Sequence, residues 1–208
     1  QDDEKIAMAL DVQIAAAGEV PARVSVTGAT RKRGRAAEFA ATITDVPARD
    51  LAVQSPALAA LQVLDAPISG SLRSGLDDTG ALTGMNAVLE IGAGAVHPDP
   101  AVAAIPFDGG KVYLGYDPVA QRVSFTDLRF DSRAIRLRAN GQTLIRDFER
   151  GLPRSILGQV QITDLQLDPE GLFESPARFS GGEVDLRLRL DPFEVELGQV
   201  QLHSEETR

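Results

Sequence analysis

The chain has 208 residues, 43% of them hydrophobic, and carries a formal net charge of −9. The acidic balance argues against a nucleic-acid partner, because phosphate binding relies on clustered Lys and Arg. The absence of cysteine excludes a disulfide framework and a thiolate metal site. No run of about 18 apolar residues occurs, so the sequence predicts no helix that spans a membrane. The chain begins at Gln1 with no starting Met and no signal peptide, and we expect residues 1–208 to be one β-rich segment of a longer protein.

Alternation of apolar and polar residues predicts several strands in the first part of the chain. These strands are predicted at 6–14, 22–26 and 39–43. A charged hairpin tip at 31–35 joins the last two. That tip could contact anionic lipid headgroups, but the acidic surroundings favour a solvated loop. Ser55-Pro56 is typical of a helix start, and the spacing that follows predicts a short amphipathic helix ending before Pro67.

Further strands are predicted along the rest of the chain. They lie at about 67–76, 80–91, 110–117, 122–131, 134–140, 156–167 and 180–202. Turns are predicted at 77–80 and 140–141, and a turn or one-turn helix at 168–173. Residues 92–108 are rich in Gly, Pro and Ala and are predicted to be irregular. Apolar residues spaced four apart predict a short helix at 143–150.

The apolar residues change parity near the end of the chain. They occupy even positions in 184–190 and odd positions in 193–197. Since side chains alternate between the two faces of a strand, this change predicts a bend or turn at Asp191-Pro192.

A four-residue pattern, apolar-Thr-Asp-apolar, occurs at 43–46, 125–128 and 162–165. Two consecutive polar residues within a strand would reverse its faces unless a bulge restores them. We therefore predict β-bulges or corners at these positions. The alternative is a coincidence of residues that are common at strand ends.

No catalytic or metal-binding constellation accompanies these strands. His97 and His203 are flanked by turn or terminal residues, with no second histidine nearby, and both are predicted to be exposed to solvent. Gly92-Ala-Gly94 lacks the third glycine of a dinucleotide fingerprint. The sequence predicts no enzyme, no catalytic residue, no metal site and no cofactor.

The fold class predicted is all-β: a strongly twisted, curved, mostly antiparallel sheet, forming an open gutter or half-barrel, with two or three short helices. A closed β-sandwich would show much the same alternation and remains the alternative. In an open gutter, the apolar residues of the alternating strands would line the groove. The candidate lining residues are Val112, Leu114, Tyr116, Val123, Phe125, Ile135, Leu137, Val184, Leu186, Leu188 and Leu190.

Several short motifs occur in a characteristic order between Leu51 and Leu202. They include Tyr113-x-Gly115-Tyr-Asp117, Val123-x-Phe125-Thr-Asp-Leu128, Phe179-x-Gly-Gly182 and Asp191-Pro-Phe-Glu-Val-Glu-Leu-Gly198. In these motifs the chain resembles the AsmA-like superfamily of bacterial envelope proteins, and in particular YhdP-type proteins with an AsmA-like C-terminal region. Residues 1–50 share only the strand pattern, so we divide the segment into N-terminal strands (1–50) and an AsmA-like region (51–208).

The resemblance implies a periplasmic protein attached to the inner membrane through a segment outside this chain. Such proteins carry phospholipid acyl chains along an apolar groove toward the outer membrane, and the family offers no catalytic residue. The implied partners are phospholipid acyl chains, together with neighbouring segments of the same chain or other envelope proteins. The alternative function is a non-enzymatic β-sandwich scaffold or protein-interaction module of the cell envelope, with a filled core.

Overall fold

The structure is a computed structural model that describes residues 5–14, 21–32, 34–54, 56–97, 103–149, 152–169, 175–190 and 193–204. These residues form fifteen strands and two short helices. The strands are β1 (Lys5–Ile14), β2 (Ala22–Arg31), β3 (Ala37–Pro47), β4 (Leu64–Asp65), β5 (Pro67–Leu76), β6 (Leu82–Ile91), β7 (Gly94–Val96), β8 (Ile105–Phe107), β9 (Gly109–Asp117), β10 (Arg122–Asp131), β11 (Ile135–Glu149), β12 (Leu152–Leu167), β13 (Ala177–Phe179), β14 (Gly181–Leu190) and β15 (Phe193–His203). The helices are α1 (Ala48–Ala52) and a 3-10 helix (Pro56–Val63).

Twelve strands form one antiparallel sheet, in the order β1-β2-β3-β5-β6-β9-β10-β11-β12-β14-β15, with β13 paired to β12. Within the described residues the sheet is open, because β1 and β15 lie at its two edges. The prediction of a large, open, mostly antiparallel sheet is therefore confirmed. The strands β4, β7 and β8 form a second, small sheet.

Alternation along each strand determines which side chains are covered. In β10, Val123 is half-buried and Phe125 is buried, whereas Arg122 and Ser124 are exposed. The same alternation of covered and exposed residues follows the β-bulge in this strand. Apolar residues at every second position therefore give the strand one covered face and one solvated face.

The β-bulges predicted at the first two Thr-Asp steps are confirmed. In β3, Thr44 and Asp45 together lie opposite Ser69, whose hydroxyl accepts a hydrogen bond from the Asp45 N–H at 3.0 Å. In β10, the register with β11 shifts by one residue between Phe125 and Leu128. The extra residue in each strand keeps the apolar residues on one face on both sides of the step.

The third copy forms a bulge of a different conformation. In β12 the register with β11 shifts at Thr163, which is the extra residue. Asp45 and Asp127 each have a φ angle of 52°, in the left-handed region that aspartate adopts more readily than most residues. The aspartate of the third copy, Asp164, is not among the described residues with positive φ. The shared sequence pattern therefore predicts the position of each bulge but not its backbone conformation.

The prediction of a helix at 143–150 is wrong. Residues 143–149 belong to β11, which pairs with β12, and Arg150 lies outside the described residues. Leu144 lies opposite Leu157, and Ile145 lies opposite Ile156. The apolar residues that had a helical spacing are thus explained by pairing with a strand that is distant in sequence.

The turn predicted at Asn140-Gly141 is also wrong, since both residues lie within β11. Gly141 lies opposite Phe125, and a Cβ added at Gly141 would lie only 2.6 Å from Cζ of that ring. Glycine is needed here for the close approach of a neighbouring side chain, rather than for a turn.

The last predicted strand, 180–202, is two strands. β14 and β15 pair antiparallel, with Leu190 opposite Phe193. The chain therefore reverses direction where the parity change predicts a bend or turn. The residues of the reversal itself, Asp191 and Pro192, lie outside the described residues.

The remaining local predictions are confirmed, corrected or only partly covered by the described residues. Residues 92–108 are not wholly irregular, because they include β7 and β8. The short helix predicted after Ser55 is present as the 3-10 helix Pro56–Val63, and α1 precedes it. Most of the turn predicted at 168–173 lies outside the described residues. The hairpin tip at 31–35, of which Arg33 lies outside the described residues, and the turn at 77–80 are confirmed as connections between adjacent strands.

The bulge in β10 yields a prediction about acid stability. Arg129 donates hydrogen bonds of 2.6 and 2.7 Å to both carboxylate oxygens of Asp127, and these bonds lower the pKa of Asp127 below its ordinary value. A lowered pKa means that the carboxylate stabilises the fold above its ordinary pKa, and that this stabilisation is lost as the pH falls through the lowered value. Asparagine also tolerates positive φ, so Asp127→Asn removes the charge and leaves the backbone acceptable.

We expect urea unfolding to show wild type more stable than Asp127→Asn at pH 7, with the difference disappearing as the pH falls toward 2. Arg129→Gln removes the partner, so in that background Asp127→Asn should have little further effect. A difference that stays constant with pH would contradict the assignment.

Candidate functional site: the apolar face of the sheet

One unbroken row of apolar residues crosses the whole sheet. Residues that lie directly opposite each other in an antiparallel ladder share a face, so the register can be followed from strand to strand. From β1 to β15 the row reads Leu10, Val26, Ala41, Leu72, Ala87, Leu114, Phe125, Gly141, Val160, Val184 and Val200. We call the face that carries this row, together with the residues at alternate positions on either side of it, the apolar face.

The candidate lining residues lie together on this face. The ten whose side chains are described are Val112, Leu114, Tyr116, Val123, Phe125, Ile135, Leu137, Val184, Leu186 and Leu188. The side chain of the eleventh, Leu190, lies outside the described residues. The sequence left open which face these residues occupy, and the register places all ten on the apolar face.

The sequence-based set missed more than half of the face. β1, β2, β3, β5 and β6 contribute the same pattern, for example Met8, Val24, Ile43 and Leu89. These strands had been predicted from alternation, but their residues were not assigned to the lining. The signal was in the sequence, since a continuous sheet whose strands alternate has to place all these residues on one side.

The opposite face is polar. Across it, Lys111 pairs with Glu90 at 2.5 Å, and Arg189 pairs with Glu194 at 3.0 Å. The hydrogen bond from Lys111 to Glu90 raises the pKa of the lysine. Large apolar or aromatic residues also lie on this face: Leu144 opposite Leu157, and Val88 opposite Tyr113.

Most side chains of the apolar face are neither sealed nor fully exposed. Along β14, Val184, Leu186 and Leu188 are half-buried, and along β15 Leu197 is 61% exposed. Among the described residues, no large side chain is less than 2% exposed. The solvent-accessible surface of the chain is 14203 Å², whereas a compact monomer of 22.1 kDa has about 9,300 Å². The sheet therefore exposes apolar surface that a closed sandwich would bury.

Crowding at glycines shows that the sheet curves toward the apolar face. Gly70, Gly141, Gly158 and Gly182 all lie on this face. A Cβ added at Gly158 would lie 2.4 Å from Cγ2 of Thr143, and one added at Gly182 would lie 2.8 Å from Cδ2 of a neighbouring leucine. Real Cβ atoms do not make contacts this short. Because these glycines have no side chain, neighbouring residues can approach each other closely on the concave side of the sheet.

A second layer covers one end of the apolar face. We call it the cap: residues 48–54 and 56–66, which include α1, the 3-10 helix and β4, together with β7 and β8. The ring of Phe107 in β8 is 4% exposed and lies 5.6 Å from the ring of Phe130, centroid to centroid. Phe130 belongs to the apolar face, so the cap packs on that face.

The cap connects distant parts of the sheet. It leaves the sheet between β3 and β5, yet its 3-10 helix approaches both β12 and β14 within 8 Å between Cα atoms. These strands are five and six positions from β5 in the sheet order. Ala48, Ala52 and Ala66 are buried within this layer. The best-covered part of the apolar face is therefore at the end where the cap lies.

Three hydroxyl groups on the apolar face donate hydrogen bonds to backbone carbonyls of the sheet or its turns. Thr30 donates to the carbonyl of Ala36 at 2.9 Å, and Ser74 donates to the carbonyl of Gly84 at 2.5 Å. Thr143, which is 6% exposed, donates to the carbonyl of Val123 at 3.4 Å. These three hydroxyls therefore have no free hydrogen-bond donor for a ligand on the apolar face. A ligand near them can make apolar contacts.

Among the described residues, neither histidine forms a metal site with acidic residues. His97 and His203 are both exposed. In the part of the chain that the structure describes, no group of three or more His, Asp and Glu residues is placed to hold a metal ion. The described helices are too short to cross a bilayer. The resolved pKa shifts of Asp77, Lys111, Asp127 and Arg129 all arise from local hydrogen bonds in a turn or on the polar face.

The fold and the site together define an open amphipathic antiparallel sheet, curved toward its apolar face and capped at one end. Comparison of the chain with protein-family models, with curated proteins and with solved structures finds no match.

The crowded glycines yield a prediction about curvature. Gly158→Ala would push a methyl group into Thr143 and into the backbone of β11, so we expect a loss of about 1–3 kcal/mol in the free energy of unfolding, as for other overpacked sites. Gly28→Ala is the matched control, because its nearest neighbour would be 3.7 Å away. The control should be neutral or slightly stabilising. Urea denaturation measures both, and equal effects would contradict the close approach at Gly158.

Proposed function

We propose that this chain binds the acyl chains of phospholipids along its apolar face, as one section of a lipid-carrying protein of the bacterial envelope. The observation that carries the proposal is the unbroken apolar row across eleven strands, on a concave face that is only half-buried. The row crosses each strand of the sheet order from β1 to β15, and extended exposed apolar surfaces mark binding sites.

The chemistry of the face fits hydrocarbon. Transfer of a methylene group from water to an apolar surface contributes about 0.8 kcal/mol, so ten buried methylenes contribute on the order of 8 kcal/mol before the cost of ordering the chain. The hydroxyls of Thr30, Ser74 and Thr143 are already bonded to backbone carbonyls, which leaves them without a role in headgroup recognition. In this arrangement the tails lie on the face and the polar headgroup stays in water.

The eleven strands give the face its extent. With about 4.8 Å between neighbouring strands, ten spacings span on the order of 48 Å along the sheet. The row contains small and branched aliphatic residues and a single aromatic ring, Phe125. Such a surface offers contact along its whole length without a specific anchoring group, as a ligand that slides along it requires.

A scaffold with a filled core is the competing function. It would need the apolar face to be sealed by a second layer, as in a sandwich. The cap supplies such a layer at one end, over Phe130, but Leu186 and Leu188 remain half-buried and Leu197 remains exposed. This incomplete cover favours a ligand-binding face over a filled core.

The location is part of the proposal. The motifs between Leu51 and Leu202 resemble AsmA-like envelope proteins, and we place the chain in the periplasm on that basis. Attachment to the inner membrane would be through a segment outside this chain. Transfer of phospholipid toward the outer membrane is the role that this placement implies.

Lipid binding can be tested by mutation of one face against the other. Leu188→Asp places a charge on the apolar face, whereas Leu144→Asp makes the same change on the polar face. Protein purified from a bacterial host is extracted with organic solvent, and the phospholipid per chain is measured by mass spectrometry. We expect wild type and Leu144→Asp to carry lipid and Leu188→Asp to carry little, because a charge in an apolar site opposes burial of the tails.

Circular dichroism and thermal unfolding decide whether loss of lipid reflects loss of fold. If Leu188→Asp is unfolded, Leu197→Asp replaces it, since that side chain is 61% exposed and the charge can remain in water. Wild type without lipid, or folded variants of both faces with equal lipid content, would overturn the proposal.

A further inference from the structure

The edge strand β1 lacks most of the features that prevent an edge strand from pairing with another strand. Its sequence, KIAMALDVQI, contains two charged residues, Lys5 and Asp11, and no proline or glycine. It pairs with β2 in an unbroken register over all ten residues. On the apolar face, Met8 is 67% exposed and Leu10 is 60% exposed. A long, regular, apolar edge is a template for pairing with another strand.

The other edge, β15, is protected in the ways that natural sheets use. Glu196 pairs with Arg187 at 3.5 Å, and Glu194 pairs with Arg189 at 3.0 Å, on the polar face. The register with β14 also shifts between Val184 and Leu186, which interrupts the regular ladder. Charges and bulges at an edge discourage the addition of a strand. Of the two edges, β1 is therefore the one suited to pairing.

We propose that β1 pairs antiparallel with β1 of a second copy of this chain, about a two-fold axis that passes through Met8. A shift of the pairing by two residues keeps the apolar residues of both copies on the same face, so the faces alone allow several registers. Charge selects among them. With Met8 opposite Met8 of the other copy, Lys5 lies opposite Asp11, and Ile6 lies opposite Leu10.

This register satisfies both faces at once. Opposite charges pair on the polar face twice, once on each side of the axis, and opposite charges in direct cross-strand positions are stabilising. Apolar residues meet on the other face, so the apolar face continues from one copy to the next. A shift of two residues would place Ala9 on the axis and Asp11 opposite Ala7. A shift of four would place Leu10 on the axis and Asp11 opposite Ala9, so neither shift gives Asp11 a charged partner. A two-fold dimer is closed, so it does not propagate into a fibre.

The dimer can be tested by cysteine crosslinking, because the chain has no cysteine of its own. In the proposed register, Met8→Cys places two thiols opposite each other, with Cα atoms about 4.5–5.5 Å apart, within the range of a disulfide. Leu10→Cys is the matched control. Its thiols would be displaced by four residues, about 14 Å, which is too far to bridge.

We expect mild oxidation to convert most of Met8→Cys to a disulfide dimer and to leave Leu10→Cys monomeric on a non-reducing gel. Light scattering of the unmodified chain should show a dimer whose fraction rises with concentration. Ala7→Lys combined with Ala9→Lys would place lysines opposite each other across the axis, and we expect this variant to be monomeric. Ala40→Lys makes the same kind of change on the inner strand β3 and should leave the dimer intact.

Each other outcome counts against the proposal. Crosslinking of Leu10→Cys in place of Met8→Cys would show pairing in the wrong register. Crosslinking of both to higher multimers would show unspecific edge pairing. A monomer at all concentrations would show that a second copy does not occupy β1, as would a dimer that the lysine variant leaves unchanged. The dimer does not require bound lipid, so its failure would leave the lipid proposal standing, and the converse also holds.

Discussion

The large sheet depends on one constraint: each of its eleven successive strands presents its apolar side chains to the same side. A sheet with one apolar face has to cover that face with a second layer, with its own curvature or with a ligand. Here the cap covers one end, and crowding around Gly141 and Gly158 shows that the sheet bends inward. The rest of the face stays half-buried. Its exposure is a consequence of building so many paired strands with so little second layer.

One face of the sheet stays apolar only if a β-bulge restores the alternation wherever two consecutive polar residues interrupt it. A slip of one residue would move every following side chain to the other face. The extra residue at Asp45 in β3, at Asp127 in β10 and at Thr163 in β12 prevents this slip. The bulges also increase local twist, which helps the sheet to curve. The same features that preserve the face therefore contribute to its concave shape.

The sequence predicts what depends on neighbours along the strand. Alternation was enough to locate most strands, and the Thr-Asp steps were enough to locate three bulges. What it could not predict depends on distant pairing. Leu144 belongs to a strand because Leu157 lies opposite it, and Gly141 lies within a strand because the ring of Phe125 lies over it. The short helix of the cap was predicted, but the packing of the cap on the sheet was not, since Phe107 gains its buried position only through contact with Phe130 on another strand.

The two edges of the sheet show how an amphipathic surface of this kind can be extended or ended. Its apolar row is a property of register, so any strand that pairs in the correct register lengthens the row by one position. At β15 the ion pairs of Glu194 and Glu196 and the shifted register oppose such an addition. At β1 the ladder is regular, and Lys5 and Asp11 are spaced to meet their counterparts in an antiparallel copy. Pairing through β1 would therefore extend the apolar face in one direction only, and the two-fold symmetry would leave a protected β15 at each outer edge of the combined sheet.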